Sequence, residues 1–97
     1  METPNQQELQ ISIPDDVAGG VYSNLALVWH TAYEFTVDFA AIERSDSNRV
    51  PARVVARVRI PPTVMFDLMR ALNENMSIYE QKFGEIKRFG GELPPAA

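Results

Sequence analysis

The 97-residue chain contains no cysteine. A disulfide framework, a thiolate metal site and a cysteine nucleophile are therefore excluded. Histidine is nearly as scarce. His30 stands alone, so a site that needs two imidazoles, such as a common zinc hydrolase, cannot be built within one chain. No apolar run approaches the roughly 20 residues of a membrane-spanning helix. The opening residues 1–10 hold neither a basic nor an apolar block, so no signal peptide is expected and the cytoplasm is the default compartment. Positive charge is also short: 9 Lys and Arg stand against 13 Asp and Glu, for a net charge of -4. The sequence pI is about 4.8, a balance that does not favour nucleic acid. Phosphate-loop, EF-hand, G-x-S-x-G and H-E-x-x-H spacings do not occur. Asp15, Asp16 and Glu43 are too few for a hard-cation cage of about six to eight oxygens. No cofactor and no metal are expected.

What the chain does have is 45% hydrophobic and 23% charged residues, the composition of one compact domain. Residues 1–8 are polar and read as a disordered leader. Residues 90–97, with Gly90, Gly91, Pro94 and Pro95, read as a frayed tail, which leaves residues 9–89 as the folded unit. Within it, Leu9, Ile11 and Ile13 alternate with polar residues and predict a first strand, closed by Pro14. Gly19 and Gly20 supply a turn. Residues 21–30 and 35–42 are dense in β-formers and predict a hairpin. Residues 44–48 have turn composition, and 52–60 predict a fourth strand with Val54, Ala56, Val58 and Ile60 on one side. Pro61 and Pro62 then open a long helix over residues 63–86. Its Met65, Leu68, Leu72, Met76, Tyr79, Phe83 and Ile86 recur at three or four residues as a single apolar stripe. Gly84 marks a fraying point. The expected fold is α+β: a four-stranded antiparallel β-meander followed by one long C-terminal helix packed on one face.

The hairpin register follows from keeping polar groups out of the core. A three-residue loop at Thr31, Ala32 and Tyr33 sets Trp29 against Phe35, Leu27 against Val37 and Leu25 against Phe39. It leaves Asp38, Thr36 and Glu34 outside with His30. Arg53, Val55, Arg57 and Arg59 should join that outer face. Two chemical readings follow. His30 beside Glu34 could act as a general base, but no nucleophile accompanies the pair, and a surface cross-strand pair is the commoner arrangement. Arg53, Arg57 and Arg59 could hold an anion or a nucleic acid with Tyr22 as a stacking platform. Neutralisation by Asp38 and Glu34 across the strands is the commoner use. His30, Glu34, Asp38, Arg53, Arg57 and Arg59 thus form a candidate polar surface, and no catalytic residue is assigned. Met65, Met69 and Met76 could line an adaptable groove, though core packing is the commoner use of methionine.

Geometry also speaks to partners. Four strands span roughly 19 Å and one helix covers only about 10 Å of that width. Half of an apolar face would stay wet in a monomer. A homo-oligomer is expected, a two-fold dimer first. Its candidate interface is the helix stripe Met65, Leu68, Leu72, Met76, Tyr79 and Phe83, with pairing of sheet edges as the rival. In a monomer, the first strand or the loop at residues 15–20 would have to cover the gap.

The Leu9–Ile13 strand, Ala18-Gly19-Gly20-Val21-Tyr22-Ser23-Asn24, the His30-Thr31 corner, and Glu34-Phe35 to Asp38-Phe39 form a recognisable set. Leu72, Asn75, Tyr79-Glu80 and Phe83-Gly84-Glu85-Ile86 continue it along the helix. Across residues 9–86 the chain resembles the small bacterial and archaeal proteins catalogued as domain of unknown function 3467. The resemblance implies a small cytoplasmic protein built from a β-sheet and a helix, and it brings no catalytic residues with it. The expected fold is also analogous to that of the export chaperone SecB, an antiparallel sheet joined to a long helix, with no shared motif. The expected function is a non-enzymatic, oligomeric protein-interaction module, a binding or adaptor protein without membrane attachment. The alternatives are a nucleic-acid-associated regulator using the Arg53, Arg57 and Arg59 face, and a chaperone-like peptide binder.

Overall fold

The structure, a computed structural model, describes residues 7–43 and 48–87. The tail expected at residues 90–97, most of the leader and most of the turn at residues 44–48 lie outside them. In chain order the elements are a single helical turn α1 (Asp15–Ala18), strands β1 (Leu25–His30), β2 (Phe35–Ile42) and β3 (Ala52–Ile60), and the helix α2 (Pro62–Phe83). The strands form one antiparallel sheet in the order β1-β2-β3. The class is α+β as the sequence predicts, with a sheet of three strands.

The fourth strand expected at residues 9–13 pairs with no strand among the described residues. Alternation of apolar side chains says which side a strand would bury, but a strand also needs an edge to join. Pro14 and α1 follow at once, and Gly20, at φ 72, redirects the backbone before β1 begins. Leu9, Ile11 and Ile13 are left exposed.

The β1–β2 register also departs from the expected one. The loop has four residues, not three. The Thr31 N–H donates to the Glu34 carbonyl at 2.9 Å, and the Thr31 hydroxyl accepts from the Tyr33 and Glu34 amides at 3.1 and 3.3 Å. This local hydroxyl-to-backbone bonding stabilises the longer turn. His30 therefore pairs with Phe35, Trp29 with Thr36, Leu27 with Asp38 and Leu25 with Ala40. Trp29, Leu27 and Leu25 share a face with Thr36 and Asp38, the arrangement that a rule of keeping polar groups outside rejects.

A second correction lies on β3. A bulge between Phe39 and Ala40 leaves Val55 without an opposite residue, so the alternation of β3 slips by one. Arg57 and Arg59 stand opposite Asp38 and Thr36, while Arg53 stands opposite Ala41 on the other face. The three arginines do not form one row. The faces are then clear. One carries the rows Ala26–Phe39–Ala56, Val28–Val37–Val58 and His30–Phe35–Ile60; the other carries Leu27–Asp38–Arg57 and Trp29–Thr36–Arg59.

The core is small. Val37, Asp38 and Ala40, all on the central strand, are the buried residues among those described. α2 starts where Pro61 and Pro62 end β3, with proline suited to the first helical turn. It ends at Gly84, whose φ 95 and ψ 176 fall in a region open essentially to glycine alone. The Glu80 carboxylate then accepts the Ile86 N–H at 2.9 Å. The helix is about 33 Å long at 1.5 Å per residue, and it does not lie packed along a sheet face as expected. Met65 and Leu68 are half-buried, and every other residue of α2 is exposed.

Ala40 is 1% exposed between Leu25 and Val54. Ala40→Leu should therefore lower stability by about 1–3 kcal/mol through overpacking. Ala32→Leu, in the exposed loop, should change it by less than about 0.5 kcal/mol. Urea unfolding of both variants checks this, and equal losses would contradict the placement of the core on β2.

Candidate functional site

Each of the six candidate polar residues has a definite place. Asp38 is not on the surface; it is buried at the centre of the sheet. Its carboxylate accepts the Trp29 indole N–H from β1 at 2.9 Å. From β3, Arg57 donates Nε–H to Oδ1 at 2.7 Å and Nη2–H to Oδ2 at 3.0 Å. This two-pronged geometry is the strong form of an arginine–carboxylate pair. The Arg57 guanidinium holds the Asp38 carboxyl below the ordinary carboxylate value of 3.8, with the Trp29 N–H and the Arg59 charge acting in the same direction and burial opposing them. Asp38 reciprocally raises Arg57 above its ordinary value, chiefly through the same hydrogen bond.

Arg59 donates to Glu34 at 3.3 Å in an exposed pair. Such pairs contribute about 0–1 kcal/mol. His30 lies against Phe35, ring centroids 5.5 Å apart, while Glu34 is engaged by Arg59. The His30–Glu34 pair that general-base chemistry would need is not formed, because the four-residue loop moves Phe35 into the position opposite His30. Two of the three arginines are bound to carboxylates and Arg53 is on the opposite face. Among the described residues, no cluster of three or more His, Cys, Asp or Glu could hold a metal ion.

What remains unsatisfied is apolar. Along α2, Met69, Leu72, Met76, Tyr79 and Phe83 are 58%, 57%, 50%, 48% and 73% exposed, and Ile86 just beyond is 44% exposed. The Tyr79 and Phe83 rings meet in a tilted contact with centroids 5.0 Å apart. Of the six residues expected at the interface, Met65 and Leu68 are half-buried, and Leu72, Met76, Tyr79 and Phe83 are open. Met69 is the residue missing from that set. With it, Met65, Met69, Leu72, Met76, Tyr79 and Phe83 alternate along α2 in steps of four and three, the heptad seam of a coiled coil. The alternation is visible in the sequence once Leu68 is set aside.

One family model matches the chain, over residues 1–88; its description is Protein of unknown function (DUF3467). No curated protein and no solved structure matches. Among the described residues, no helix is long and apolar enough to cross a membrane.

Asp38 has its pKa lowered by folding, so its ion pair stabilises the fold above pH 3.8, and that contribution is lost as pH falls through the lower folded value. Asp38→Asn keeps an acceptor for Trp29 and removes the charge. The variant should melt at a lower temperature than the parent at neutral pH. Its melting temperature should also fall less steeply between about pH 5 and about pH 3. Parallel slopes for the two proteins would contradict the role given to the carboxylate.

Proposed function

The chain belongs to the DUF3467 family, which brings no activity with it, and we propose on the strength of its surface that it is a non-enzymatic, homo-oligomeric protein-interaction module. The observation that carries this reading is the exposed seam of α2. A second copy of the same chain is its occupant. The surface area supports this. A folded monomer of 10.9 kDa should expose about 5,600 Å², whereas this chain exposes 9589 Å². Counting every residue outside the described part as fully extended chain still leaves an excess of about 1,700 Å². Two copies that bury it would share an interface of about 3,400 Å², within the range of obligate homodimers.

The sheet, with its apolar face of Val28, Phe35 and Val58, is left for a protein or peptide partner. A nucleic-acid role has less support, since Arg53 stands on the opposite face from Arg57 and Arg59, so the three form no continuous basic row, and the chain carries a net charge of -4.

Light scattering over a wide concentration range tests the proposal. The parent should have at least twice the chain mass at micromolar concentration. Leu72→Asp places a carboxylate in the seam and should reduce the mass to that of one chain, whereas Glu74→Lys, off the seam, should leave it unchanged. A single-chain mass for the parent at every concentration would overturn the proposal.

A further inference from the structure

Residues 8–13 form an arm without a pairing partner among the described residues, and its chemistry fits one particular edge of the sheet. Leu9 is 90% and Ile11 84% exposed. A two-residue period places Leu9, Ile11 and Ile13 on one side and Glu8, Gln10 and Ser12 on the other. The three-stranded sheet has two open edges, β1 and β3. β1 carries no carboxylate and no Lys or Arg. β3 holds Arg53, Arg57 and Arg59 and no anion, while residues 8–16 hold Glu8, Asp15 and Asp16 and no cation. Opposite charge therefore selects β3 over β1. Arg57 and Arg59 keep more than half of their side-chain surface exposed, so N–H donors remain for a further carboxylate.

Strand faces agree with the charges. Antiparallel to β3, the arm can set Leu9 across from Val58 and Ile11 across from Ala56 on the apolar face. Glu8 then lies across from Arg59 on the face that Arg57 shares. The same direction brings Asp15 and Asp16 toward the end of β3 that carries Arg53. A one-residue slip would put Leu9 and Ile11 against the arginines and lose both matches.

The edge belongs to a second copy. The arm is joined to β1, the strand farthest from β3, through a connector whose Val17, Val21 and Tyr22 are exposed and so do not cross the sheet of their own chain. We infer that residues 8–13 of each copy add as an antiparallel fourth strand to the β3 edge of the other, a reciprocal exchange of arms between two chains. This rests on the self-assembly proposed above. It assigns a strand-addition site on β3 and names its ligand, a short segment with apolar alternation and flanking carboxylates.

The absence of cysteine makes the test clean. Leu9→Cys and Val58→Cys are placed together in the full chain, both at exposed positions, and the protein is oxidised mildly. Opposed residues of antiparallel strands come close enough for a disulfide. The expected product is a covalent pair of chains on a non-reducing gel, with no larger species, while Gln10→Cys with Val58→Cys, on opposite faces, yields a much weaker pair band. A disulfide confined to one chain would overturn the exchange by showing that the arm folds onto its own sheet. A ladder of larger species would overturn its reciprocal form. Unlinked chains that light scattering still finds assembled would overturn the exchange and leave the self-assembly standing. Unlinked chains of single-chain mass would overturn both.

Discussion

The Asp38 carboxylate joins the three strands through one group. It takes an N–H from Trp29 on β1 and two from Arg57 on β3, and it sits on β2 between them. A buried charge is tolerated only when paired and hydrogen-bonded, and a slip of either neighbour by one residue would turn its donor to the opposite face. The pairing of β1 and β3 against β2 is therefore fixed by polar geometry as much as by apolar packing. The rest of the small core, Val37 and Ala40, flanks Asp38 along the same strand.

A core this small has consequences for how the chain exists. Apolar side chains of the arm and of α2 stay in water in a single copy, so little of the usual hydrophobic stabilisation is gained within one chain. The self-association proposed above would stabilise the fold by mass action and make folding and assembly one equilibrium. Seam and arm would act at separate places, one as a helix-to-helix contact and the other as a strand added to an edge.

Much of the architecture was legible in the sequence, and its failures were specific. β2, β3 and the start of α2 follow from β-former density, alternation and the two prolines, all of them local signals. Assigning Asp38 to solvent by residue type gives the wrong register. Its stabilising partners, Trp29 and Arg57, are 9 and 19 residues away in sequence, and period-two patterning does not see such pairs. The only indole of the chain and an aspartate within a strand were the available signals. The Arg53 placement failed at the doublet Val54-Val55, which breaks the alternation of β3 and marks the bulge. The alternation at residues 9–13 is a strand pattern, but a pattern cannot supply the edge it would join.

The stop at Gly84 determines more than where α2 ends. Its backbone conformation is closed to residues with a side chain, so the length of the rod is set by stereochemistry at one position and not by the helix preference of what comes after. α2 is thereby a ruler of fixed span, about 33 Å. Substitutions along its shaft can alter the character of its surface without altering how far it reaches.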